Sequence, residues 1–97
     1  MWDRVVIIPA AYESELLPGC IESLAQHNQN AILILVLNGK ENARPEVHKD
    51  NRTTFQWLVS NPHQKIASDR WMIRFQNLDI LLLDRFSEGR RLGAKQG

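Results

Sequence analysis

In "RVVIIPAAYE", residues 4–13, the four branched aliphatics Val5, Val6, Ile7 and Ile8 run directly into Pro9, two alanines, Tyr12 and Glu13. Consecutive strand formers without polar alternation mark a strand buried on both faces, as in a parallel sheet covered by helices. Pro9 carries no N–H for a ladder, so pairing is expected to fail there and the chain to leave the sheet. The residues after Pro9 then lie at the carboxyl end of a parallel strand, where open α/β sheets place their binding crevices.

The same pattern recurs twice. Ala31–Leu37, "AILILVL", is a second unalternated strand, closed by Asn38-Gly39, a turn pair whose residues both tolerate positive φ. Leu78–Leu83, "LDILLL", is a third, leading into "DRFSEGRRLGAKQG". Between the first two strands, Leu17, Cys20, Ile21 and Leu24 fall on one helical face. This predicts a helix over 15–27, with Ser14 as a candidate cap, Pro18 in its first turn and Cys20 on its buried face. Residues 44–60 suit a second helix, stopped by Asn61-Pro62. Residues 68–76, "SDRWMIRFQ", fit two periods: Trp71, Ile73 and Phe75 alternate as in a strand, while Trp71, Met72 and Phe75 share a helical face. The helical reading is preferred.

The expected fold is therefore one α/β domain over 1–97, a Rossmann-like β-α-β-α-β unit with a parallel sheet. Strands laid in chain order with crossovers of one hand put both helices on one face. All three strands are nevertheless apolar at odd and even positions alike, which asks for cover on both faces and hence three layers. The missing layer is expected from chain following Gly97 or from a second subunit.

Composition narrows the function classes. Twelve Lys and Arg nearly cancel eleven Asp and Glu, leaving a net charge of +1, so no electrostatic case for nucleic-acid binding exists. One cysteine forms no intramolecular disulfide, and no run approaches the ~20 apolar residues of a membrane span or the pattern of a signal peptide. A cytoplasmic protein, with a peripheral membrane role left open, is the expectation. His27, His48 and His63 lack metal-ligand spacing and are assigned to packing or surface roles.

Three strand ends should line one rim: Pro9 to Glu13, Asn38-Gly39-Lys40, and Asp84-Arg85. Asn38 can pair with the hydrogen-bonding edge of a base or simply make the turn. Tyr12 can stack on a base, fix a ribose or pack at the rim, and Glu13 can accept from ribose hydroxyls or favour a helix N-terminus.

"VVIIPAAYESE", "CIESLAQ", "LVLNGK" and "GRRLGAKQG" together resemble the amino-terminal half of family 2 glycosyltransferases of the GT-A fold. Those enzymes open with V-I-I-P-A-Y-N-E, carry C-I-x-S-L on the first helix, end the second strand in V-D-N-G-S or V-D-D-G-S, and later have a glycine-bounded basic element. The resemblance implies strand order 3-2-1 and an inverting transfer of sugar from a nucleotide-diphosphate donor. It implies nucleotide contacts at Pro9, Ala10, Ala11, Tyr12, Glu13, Asn38 and Gly39, and diphosphate contacts at Arg90, Arg91 or Lys95. Mn²⁺ or Mg²⁺ is expected in a whole enzyme of this kind, held by a D-x-D motif, but the aspartates here (3, 50, 69, 79 and 84) contain no such pair. No catalytic base is assigned, so the isolated chain is expected to bind without turnover. The alternative is a non-catalytic Rossmann-like binding or assembly module. An uncharged first strand at the sheet edge, or the bare face, is expected to recruit a second copy.

Overall fold

The computed structural model describes residues 2–27, 30–39 and 44–85. Its elements are β1 (Arg4–Ala10), α1 (Leu17–His27), β2 (Ala31–Asn38), α2 (Pro45–Val59), β3 (His63–Ala67), β4 (Arg70–Phe75) and β5 (Leu78–Arg85). The fold is α/β, as expected. All seven elements belong to one arrangement, a five-stranded mixed sheet of order β1-β2-β5-β4-β3 with two helices.

This order corrects the expected three-stranded parallel sheet of order 3-2-1. β1, β2 and β5 are parallel neighbours, but β4 runs antiparallel to β5, and β3 antiparallel to β4. The difference comes from "SDRWMIRFQ", which forms a strand rather than a helix. Alternation decides it: Ile73 is fully buried, and Trp71 and Phe75 beside it meet α2, with Phe55–Trp71 ring centroids 4.9 Å apart and Trp57–Phe75 centroids 5.6 Å apart. A helix over these residues would have turned Met72 into that layer as well; the strand turns it away. Gln76-Asn77 closes the β4–β5 hairpin, with Gln76 at φ 56°.

Both helices pack on one face. Leu17, Ile21 and Ala25 of α1 and Leu58 of α2 join Leu33, Leu35, Leu37, Ile73, Ile80 and Leu82 in a single buried cluster. Leaving the aliphatic members of this cluster in water would forgo about 1.5–3 kcal/mol for each fully buried Leu or Ile side chain. Cys20, expected on that buried face, is exposed, because Leu17, Ile21 and Ala25 carry the contact instead. Among the described residues the other sheet face has no helix, so the arrangement is two layers rather than the expected three. No helix among the described residues is long and apolar enough to cross a membrane.

Two boundaries also move. β1 runs through Pro9 to Ala10, with Pro9 opposite Val36 and Ala10 opposite Leu37. The chain therefore leaves the sheet after Ala10, one residue later than the proline suggested. β1 lies at the sheet edge, which is where a strand proline is tolerated. Asn38 closes β2 as its last strand residue and is not among the non-glycine residues with positive φ.

Candidate functional site at the strand ends

The carboxyl ends of β1, β2 and β5 lie side by side, and backbone hydrogen bonds extend the rim past the strands. The Gly39 N–H donates to the Arg85 carbonyl (3.3 Å), and the Asp84 N–H to the carbonyl of Asp69 (2.9 Å), which brings the β3–β4 turn to the same end. Asp84 is 2% exposed on the helix side of the sheet, a buried carboxylate at the rim.

Two adjacent residues of α2, Asp50 and Asn51, hold the segment after β1. Asn51, 1% exposed, accepts from the Tyr12 N–H through Oδ1 (3.0 Å) and donates from Nδ2 to the Asn38 carbonyl (2.8 Å). One amide thus ties the end of β1 to the end of β2. Asp50 accepts from the Ser14 N–H (2.9 Å) and from the Ser14 hydroxyl (2.5 Å). Ser14 is therefore bound to α2 rather than capping α1, whose first turn is closed by the Glu13 carbonyl, which accepts from the N–H groups of Leu16 and Leu17.

Tyr12 sits at φ 60°, in the left-handed region that an aromatic residue enters at a cost of about 1–2 kcal/mol. The hydrogen bond from its N–H to buried Asn51 holds it there, and its ring is turned out, 53% exposed. Beside it is a cleft of about 240 Å³ lined by Tyr12, Glu13, Ser14, Glu15, Leu16 and Asp50. That volume is below the roughly 300–1,000 Å³ of drug-sized pockets and suits a sugar ring better than a whole nucleotide. Its three carboxylates accept hydroxyl hydrogens and repel phosphate.

The expected contacts divide accordingly. Tyr12 and Glu13 line the cleft, and Asn38 is joined to Tyr12 through Asn51. Ala10 faces the helices and is buried in the core, while Pro9 faces the opposite side of the sheet, so neither borders the cleft. Ala11 is exposed at the turn. Gly39 contributes its N–H to the rim. Arg90, Arg91 and Lys95 lie outside the described residues. The Asn38 side-chain oxygen and both ring nitrogens of His48 are buried with no hydrogen-bond partner among the described residues. His48 lies one turn before Asn51 on α2, three residues away and hence on the same side of the helix.

His48, Asp50 and Asn51 were not legible as site residues. The partners of Asp50 and Asn51 are far away in sequence, and a polar run on an amphipathic helix reads as its solvated face. For the expected metal, no three His, Cys, Asp or Glu side chains come together among the described residues in a way that would hold an ion. The metal is expected of a whole enzyme, and the described residues offer no ligand set for it. Compared with known protein families, curated proteins and solved structures, the chain matches none.

Proposed function

We propose that this chain binds the nucleoside part of a nucleotide-diphosphate sugar at the ends of β1 and β2, as the donor-binding part of an inverting glycosyltransferase of the family 2 type. The observation that carries the reading is Asn38. Its side-chain oxygen is buried at the end of a parallel strand without a partner among the described residues, and its carbonyl is pinned by Asn51. A buried acceptor left unpaired costs about 1–3 kcal/mol. Asn38 shares the Val36 and Pro9 side of the sheet, across the strand ends from the Tyr12 cleft, so a base N–H would recover that cost by entering at the strand end and displacing what covers the oxygen. The exposed Tyr12 ring offers a stacking surface, and Glu13 with Asp50 offers acceptors for ribose or sugar hydroxyls.

The chemistry that these residues can perform is recognition and orientation. The diphosphate contacts remain assigned to Arg90, Arg91 and Lys95 on the family resemblance alone.

Replacing Asn38 with Leu keeps the backbone carbonyl that Asn51 holds and removes the side-chain amide, acceptor and donor alike. Calorimetric titration with UDP and GDP is expected to show binding of one of them by the parent chain, weakened by about 1–3 kcal/mol in Asn38→Leu. Equal affinity of the two proteins would remove Asn38 from the site.

A further inference from the structure

The face of the sheet turned away from the helices is covered unevenly, and the strand register shows where. On β2 its members are Ile32, Ile34 and Val36, flanked on β1 and β5 by Val5 and Asp79, by Ile7 and Leu81, and by Pro9 and Leu83. Ile34 and Val36 are partly exposed, as a face without helices requires, but Ile32 is only 5% exposed. Its strand neighbours do not account for this. Val5 and Asp79 are smaller than the Ile7 and Leu81 that leave Ile34 partly open, so Ile32 has a further cover.

Trp2 is placed to supply it. Its indole N–H donates to Asp79 Oδ2 (2.8 Å). Trp2 leads into β1, whereas Asp79 belongs to β5, two strand spacings or about 9.6 Å away across β2. An indole that reaches Asp79 on the open face therefore passes over the start of β2, and the residue paired with Asp79 there is Ile32. The two fastenings of this segment differ in strength. Asp3 is tied twice to the residue before β2: its N–H donates to the Asn30 carbonyl (2.8 Å) and its carboxylate accepts from Asn30 Nδ2 (3.2 Å). Trp2, one residue further out and 40% exposed, reaches the sheet through the Asp79 bond. Asp79 holds Arg74 on its other oxygen (2.6 Å), so its charge stays paired when the indole leaves.

We infer that Trp2 is a hinged strap over the amino end of the open face: its ring covers Ile32, its indole N–H latches it to Asp79, and it swings about Asp3 while the sheet stays paired. Closed, the strap hides Ile32 and leaves Val5 exposed; open, it bares the two side by side as one apolar strip. Segments outside a sheet are ordered only where tied down, and those with few fastenings open locally at far lower free energy than the whole fold.

The test is hydrogen exchange of the isotope-labelled chain, together with relaxation of its methyl signals by a soluble nitroxide. After correction for intrinsic rates, the Trp2 indole N–H is expected to exchange at least about a hundredfold faster than the Leu33 and Ile80 amides, which report opening of the sheet. Exchange of all three at one rate would mean that the ring leaves only on unfolding, and overturns the strap. The nitroxide is expected to relax the Ile32 methyls less than those of Ile34 in the parent chain and equally in Trp2→Ala, with Leu33 shielded in both as a check that the core is intact. Ile32 shielded alike with and without the Trp2 ring overturns the cover. Trp2→Phe keeps a ring and removes the N–H, and Ile32 is expected to open toward the Ile34 level in this variant too. Full shielding there would show that packing rather than the Asp79 bond holds the ring, and overturns the latch.

Discussion

Tyr12 is the residue at which local backbone preference and the site disagree. A large aromatic at φ 60° costs about 1–2 kcal/mol, and a single hydrogen bond from its N–H to Asn51 returns about 0.5–1.5 kcal/mol. Strain of this kind persists where the surroundings over-determine it, and here the result is a ring presented to solvent beside a carboxylate-lined cleft. Glycine would adopt the same φ freely, at about 0.4–1 kcal/mol of extra unfolded-chain entropy. Tyr12→Gly is therefore expected to leave urea-derived stability within about 1 kcal/mol of the parent, or above it, while weakening nucleotide binding. A larger loss of stability would show that the ring packs structurally. Asn51 was hidden from sequence reading for a reason of the same scale. An asparagine inside a helical run looks like a weak helix former, and its two hydrogen bonds, to Tyr12 and Asn38, become visible only when three elements meet.

At the scale of elements, the hairpin of β4 and β5 is where reading and structure part. The three parallel strands and both helices were legible because each is dominated by one period: unalternated aliphatics in the strands, three- and four-residue spacing in α1. "WMIRF" satisfies two periods at once, and the choice falls to partners that a short window does not contain: the ring contacts of Phe55 and Trp57, and the pairing of Ile73 with Ile80. β3 has no apolar alternation to announce it, and all five of its residues are exposed. The hairpin is fastened at its open face by Asp79. Burial pushes the Asp79 carboxyl up, but hydrogen bonds from the Trp2 indole and Arg74, with the Arg74 charge, outweigh this and hold it below its ordinary value of 3.8. A carboxyl more acidic in the folded chain contributes stability above its unfolded value, and that contribution is lost as pH falls through the lowered folded value. Acid titration of stability is thus expected to fall from about pH 4 downward, with a shallower fall in Asp79→Asn. Identical acid limbs in the two proteins would mean that the Trp2–Asp79–Arg74 cluster is not coupled to folding.

For the whole molecule, one asymmetry organises everything described. Crossovers through α1 and α2 stack both helices on one face, leaving the other face apolar, while the parallel strands aim their carboxyl ends at one rim. The bare face was foreseeable from strands apolar at every position. The rim was foreseeable from Pro9 and Asn38, although not the α2 residues that assemble it. The rim provides the proposed nucleoside site. The most direct measurement is an amide-shift titration of the labelled chain with UDP and with GDP. The account predicts that one of the two shifts Tyr12, Glu13, Asn38 and Gly39 together, with Asn51 following because it joins Tyr12 to Asn38. Saturating nucleotide that leaves both segments unmoved, or shifts only residues of the open sheet face, would contradict it.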